Sequence, residues 1–241
     1  MQIEDIIVPL DGSVAAERVL KAAADLARAA GARIHLVAVV GNDCEAEHAG
    51  RYLGRLAAGF EQEVDVVVRT GDPAGEILAL AASLSEPLVL LGTHGVGGDA
   101  RVLLGKTAAA VVAAARVPVM LIETLQADLD RSTDGRVVLL APEAAEAALW
   151  YAVELATLTG PRPRLERLSG SDDRALGQAL LGADLAVVAT DRAEGIPPEL
   201  LRALAAGRLR GRALPVVKLG PAALSQAAAK SEGPAARFVL G

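Results

Sequence analysis

The chain has 241 residues, 52% of them hydrophobic but only 2% aromatic, and a formal net charge of −6. That length admits one large or two ordinary α/β domains, and a core of Ala, Val and Leu suits helices packed closely on a parallel sheet. The acidic balance argues against a nucleic-acid or anionic-membrane partner, and a single cysteine, Cys44, excludes an internal disulfide. The opening "MQIEDIIVPLDG" has two acids where a secretory leader needs basic residues. The longest apolar stretch, 108–122, is interrupted by Arg116 and Pro118 and is too short to span a bilayer. A soluble, cytoplasmic protein is expected.

Short apolar runs alternate with helical stretches. Residues 6–10, 34–40, 64–70, 87–92 and 117–122 read as buried strands. Between them "AERVLKAAADLARAAG" and "AGEILALAASLS" read as helices, the first stopped by Gly31 as a C-terminal cap. A further helix is expected between Asn42 and Gln62. Strand and helix in alternation predict a doubly wound parallel sheet with right-handed crossovers. The strand order expected for it is 3-2-1-4-5.

After a polar stretch the pattern restarts. "VVLLAP" leads into "EAAEAALWYAVELATLTG", and setting Gly31 on Gly160 gives an offset of 129. Further on, Leu88 falls on Leu185 and Pro118 on Pro215, an offset of 97. The difference of 32 residues between these offsets is the length of about one helix and one strand. The second half therefore reads as a shortened copy of the first. The expected division is a first domain at 1–124, a linker at 125–135, a degenerate second domain at 136–220 and a small-residue-rich tail at 221–241.

Residues 100–107, "ARVLLGKT", loosely match a P-loop. A P-loop needs its glycines directly after a strand, so that successive N–H groups curl around phosphate. Here Gly105 lies thirteen residues beyond Gly92, and the spacers Arg101 to Leu104 are mostly bulky and apolar. The match is an accident of a longer pattern. That pattern begins at the strand: Gly92-Thr93-His94-Gly95, nine residues, then Gly105-Lys106-Thr107 opening a helix.

This G-x2-G-x9-G spacing resembles the universal stress protein family. The resemblance extends to "IIVPLDGS", "GDPAGEIL" and "ARVPVMLI", covers residues 1 to 124, and makes the whole chain similar to tandem members. It implies two Rossmann-like, adenine nucleotide α-hydrolase-like domains, the second shortened, with ATP in the first. Carried over from ATP-binding members, Pro9 and Asp11 would stand at the adenosine end, Asp11 near the ribose, with Val39 lining the adenine. Gly92, Gly95 and Gly105 would line the ribose and phosphate path, and His94, Lys106 and Thr107 belong to the same segment. The physics agrees: ligands of open parallel sheets bind at the carboxyl ends of strands where the order reverses, and a helix N-terminus favours phosphate.

One position departs from the family. Ser or Thr usually follows the last glycine, whereas Lys106 stands here and Thr107 comes one place later. Lysine there either grips phosphate by charge or fills the space. The first case gives a nucleotide-binding regulator; the second gives an interaction scaffold that binds no ATP. A related enzyme, such as a nucleotidyl transferase, is the third class, but no catalytic constellation supports it.

His94 has no partner nearby in sequence to orient it, and His35 and His48 read as structural or solvated. No metal site is expected; Mg2+ would come only with the nucleotide, held by its phosphates. Arg202, Arg208, Arg210 and Arg212 read as ordinary partners of a helix C-terminus rather than as a nucleic-acid surface. The resemblance also implies at most weak ATP hydrolysis and an intrachain pseudo-dimer of the two halves, with a homodimer as a further option. In the pseudo-dimer the final strands "VPVMLI" and "LPVVKL" would lie side by side.

Overall fold

The computed structural model describes residues 3–93, 104–122, 136–140, 146–159, 164–168, 178–179, 183, 185–189 and 216–219. In chain order the first half contains β1 (Asp5–Pro9), α1 (Val14–Glu17), α2 (Val19–Ala30), β2 (Arg33–Val40), α3 (Asp43–Ala57), β3 (Val64–Thr70), α4 (Pro73–Ser83), β4 (Pro87–Gly92), α5 (Lys106–Ala114) and β5 (Val119–Ile122). The second half contributes β6 (Arg136–Leu140), α6 (Glu146–Thr159), β7 (Arg164–Leu168), β8 (Leu185–Ala189) and β9 (Val216–Leu219). The expected linker, the tail, and Arg202, Arg208, Arg210 and Arg212 lie outside the described residues.

Local chemistry accounts for the elements. Ser13 caps α1 by accepting from the Ala16 N–H at 3.0 Å, and Asp72 caps α4 by accepting from the Gly75 N–H at 2.8 Å, with Pro73 at the first helical position. α2 buries Val19, Ala22, Ala23, Leu26 and Ala27, the i, i+3, i+4, i+7 stripe of a helix lying on a sheet. It ends at Gly31, whose φ of 68° is the left-handed conformation that the sequence reading assigned to a glycine cap. The single helix expected over this region is divided at Arg18, whose N–H donates to the Ala15 oxygen at 3.3 Å in a tighter turn.

Among the described residues the strands form one nine-stranded sheet of order β3-β2-β1-β4-β5-β9-β8-β6-β7. The first five strands are parallel in the 3-2-1-4-5 order expected from the sequence. The last four are parallel to one another, and the two groups meet where β5 runs antiparallel to β9. β5 and β8 are buried along their whole length and β4 as far as Leu91, as strands covered on both faces must be. β3, at one edge, is only half covered.

Two apolar layers flank the sheet, and each draws residues from both halves. One joins α2 and α6 through Ala23, Leu26, Tyr151 and Leu155; the other joins Ile77 and Val111 to Val138 and Val188. Among the described residues no helix is long and apolar enough to cross a membrane.

The register refines the offset of the expected repeat. Ile6 pairs with Leu88, and Val137 pairs with Leu185. Since Leu88 corresponds to Leu185, Ile6 corresponds to Val137, an offset of 131 where the helix comparison suggested 129. β6, β7, β8 and β9 then answer to β1, β2, β4 and β5, and among the described residues no strand answers to β3. The β5–β9 pairing is also self-consistent. Met120 faces its own counterpart Val217, and Val119 faces Lys218 while Leu121 faces Val216. β7 itself was not anticipated, because "RLERL" is too charged to read as a buried strand.

Candidate functional site

β1 and β4 lie side by side at the centre of the first half, with β2 outside one and β5 outside the other. The connections leaving their carboxyl ends run to opposite faces of the sheet, the arrangement at which open parallel sheets take their ligands. Of the site residues named from sequence, Pro9, Asp11, Val39, Gly92, Gly105, Lys106 and Thr107 fall at that end. Pro9 is the last residue of β1, half-buried and paired with Val37. Asp11 follows, exposed, and its Oδ1 accepts from the Ser13 N–H at 3.0 Å and from the Ser13 hydroxyl at 2.6 Å. Ser13, not Asp11, therefore caps the helix, while Asp11 braces the turn. Gly12 between them has a φ of 81°, which a side chain would strain.

Val39 is the penultimate residue of β2, half-buried against the layer formed by α4 and α5. Gly92 ends β4 opposite Ile122 of β5. The chain then turns through Thr93, whose N–H donates to the Ile122 oxygen at 2.9 Å, while its own oxygen accepts from the Gly105 N–H at 2.7 Å. Gly105 is the N-cap of α5 and offers no side chain to cap it; Lys106 and Thr107 form the exposed first turn. His94 and Gly95 lie outside the described residues. The amide groups of that first turn face the same end of the sheet as Pro9 and Asp11, the polarity an anion needs.

The structure adds residues that sequence reading did not single out. Tyr52 on α3 donates its hydroxyl to Glu17 of α1 at 2.9 Å, tying the segment behind Asp11 to α3. Burial, that hydrogen bond, and the carboxylates of Glu17 and Asp11 together raise the Tyr52 pKa well above its ordinary value, so it remains a donor. Lys218 of β9 is another. Its signal was present as one charged residue in the apolar run "LPVVKL", but only the sheet shows what it meets.

His35 is not near this end. It is buried between Asp5, at 2.7 Å from Nε2, and Asp65, at 3.3 Å from Nδ1, and clamps β1, β2 and β3 together. A cleft of about 550 Å³ opens at the amino end of the strands, lined by residues including Asp5, Arg28, Arg33 and Glu63. Its charged groups pair locally, Arg33 with Glu63 at 3.5 Å and Arg28 with Asp25 at 3.2 Å. His48 lies on the exposed face of α3. Among the described residues no group of three or more His, Cys, Asp or Glu is arranged to hold a metal ion.

Comparison with known proteins bears on the whole arrangement. The sequence profile described as the universal stress protein family matches residues 2–43 and 41–123, two adjoining stretches that together span the first five strands. No curated protein sequence matches the chain. A crystal structure of a universal stress protein from Archaeoglobus fulgidus DSM 4304 is similar with a TM-score of 0.65 at 19% identity, covering 91% of this chain and 97% of that one. A putative universal stress protein from Pseudomonas aeruginosa UCBPP-PA14 has a TM-score of 0.63 at 14% identity, covering 93% of this chain and 96% of that one. These likenesses concern the fold and extend over both halves of the sheet. A universal stress protein in complex with cAMP covers 52% of this chain and 99% of its own, at 22% identity and a TM-score of 0.43. With the profile matching half of the sequence and the strand order in agreement, the chain belongs to the universal stress protein family.

Proposed function

We propose that the chain is a cytoplasmic regulatory universal stress protein that binds one adenine nucleotide, ATP, in its first domain (residues 1–124). The observation that carries this reading is the reversal of strand order between β1 and β4, with Asp11, Gly92 and the uncapped start of α5 all at its open end. In the proposed site Asp11 accepts hydrogen bonds from the ribose hydroxyls and Val39 lines the adenine. The backbone at Gly92, Gly95 and Gly105 receives the ribose and phosphates without a Cβ in the way, and His94 lies along that path. Lys106 adds a positive charge at the phosphate end, where Thr107 supplies a hydroxyl. Mg2+ would arrive with the nucleotide. The nucleotide acts as a conformational ligand, and turnover is at most slow.

The second domain (136–220) serves as a built-in partner. The antiparallel β5–β9 pairing centred on Met120 and Val217 supports this, because a two-fold contact joins like edges in this self-complementary way. It holds no nucleotide in this reading. The strand register sets Asp11 against Pro142, and the offset of 97 sets Gly92, Gly95 and Gly105 against Ala189, Arg192 and Arg202. Neither the carboxylate nor the glycines are kept.

The test is calorimetric titration of the purified full chain with ATP. One site per chain is expected. Absence of binding, together with binding after Lys106→Ser, would replace this reading with the scaffold in which Lys106 closes the pocket.

A further inference from the structure

α5 has two ends, and they are held by different halves of the chain. Its front end, at Gly105, is tied to Thr93 and through Thr93 to Ile122 by backbone hydrogen bonds of 2.7 and 2.9 Å. The helix has nine residues, buries Ala108, Val111 and Val112, and carries no basic residue in its last turn. A helix this short is marginal without tertiary support. At its rear end the Val111 oxygen accepts from the Ala115 N–H at 2.8 Å. The next oxygen, that of Val112, is one of the four that a helix leaves unmatched. It accepts from the Lys218 Nζ, which comes from β9.

Lys218 lies in the seam between the halves, opposite Val119 of β5 on one side and Val188 of β8 on the other. It is 2% exposed, and burial pushes its pKa below the ordinary lysine value. Under the register that equates Met120 with Val217, the corresponding residue of the first half is Leu121. A leucine would fill this slot without any cost of desolvation. The lysine instead delivers an ammonium group to the negative pole of α5, which balances the helix and leaves its positive pole directed at the carboxyl end of the sheet.

We infer that Lys218 is a positioning residue, through which the second half anchors α5 and sets the aim of Gly105, Lys106 and Thr107. The nucleotide in this inference rests on the reading under Proposed function; the anchoring of the helix does not. A nine-residue helix is about 13 Å long, so a shift at its rear end re-aims the front amides by a comparable fraction of an ångström to an ångström. Hydrogen bonds to phosphate weaken steeply under such misalignment. The second half thereby contributes to the site without touching the ligand.

The test substitutes Lys218→Met in the full chain, which keeps an unbranched apolar stem in the seam and removes the donor. Hydrogen exchange is followed for peptides covering α5 and, as a control, β2. Exchange in α5 should rise by about tenfold or more, the scale of a lost hydrogen bond from a charged group, while β2 is unchanged. ATP affinity by calorimetry should fall by roughly threefold to tenfold, consistent with ordinary coupling between sites. Unchanged exchange in α5 overturns the inference. Faster exchange in α5 with unaltered ATP affinity overturns the positioning role. A parent chain that binds no ATP sinks the functional reading, and the exchange result alone then upholds or overturns the anchor. If Lys218→Met loosens the whole chain, Lys218→Leu, the residue of the equivalent position, is measured; loosening throughout again overturns the inference.

Discussion

Substituting Asp11 by alanine separates two roles that the turn after β1 assigns to one carboxylate. Structurally, Asp11 Oδ1 accepts two hydrogen bonds from Ser13, and Ser13 in turn caps α1. These bonds are exposed and compete with water, so losing them should cost about 0.5–1 kcal/mol of stability. Ser13→Ala breaks the same turn from the other side and removes the cap, at about 1 kcal/mol. In stability the two variants should therefore be nearly alike. In ligand binding they should differ. A carboxylate accepting from ribose hydroxyls contributes about 1.5–3 kcal/mol, so Asp11→Ala should weaken ATP binding by roughly tenfold to a hundredfold. Ser13→Ala keeps the carboxylate and should weaken it by less than about threefold. Urea unfolding and calorimetric titration of both variants supply the comparison. Equal losses of affinity would show that Asp11 only braces the turn; an unaltered affinity in folded Asp11→Ala would falsify its place in the site.

Lys106→Ser should leave ATP affinity similar or lower it, and a large gain measured by calorimetry would identify the lysine as an obstruction. Tyr151 is buried on α6 with no hydrogen-bond partner for its hydroxyl among the described residues, so Tyr151→Phe should keep stability or raise it by up to about 1 kcal/mol in urea unfolding; a clear loss would point to an ordered water. Lys218 has a folded pKa below its ordinary 10.5, so the unfolded chain holds more protons between the two values and stability rises with pH across that window. The parent should gain stability relative to Lys218→Met as pH climbs toward 10.5, and a constant difference would contradict the burial of its charge. A fragment ending at Thr124 exposes the β5 edge that β9 now covers, so it should dimerise or aggregate in sedimentation runs, whereas a stable monomer of full ATP affinity would refute the built-in partner.

Much of the first half was legible in the residues, because its signals are local. Buried parallel strands leave continuous apolar runs such as "PLVLLG", and caps such as Ser13, Asp72 and Gly31 act within three or four residues of themselves. The glycine spacing after β4 marked a place for close approach of backbone, and the reversal between β1 and β4 is that of the doubly wound order 3-2-1-4-5. Other features depended on partners far away in the chain. "RLERL" pairs as β7 only because β6 offers it an edge, and its charges defeat any reading by hydrophobic period. The two-residue correction that sets Asp11 against Pro142 came from strand register, since a gap in a repeat has no local signature. Lys218 and Val112 are 106 residues apart, and a buried lysine in an apolar strand is intelligible only once the helix end that receives it is seen. Sequence determined the elements and the family because those rest on neighbours along the chain; which half completes α5 was decided by the folded sheet, where desolvation and an unmatched carbonyl bring distant residues together.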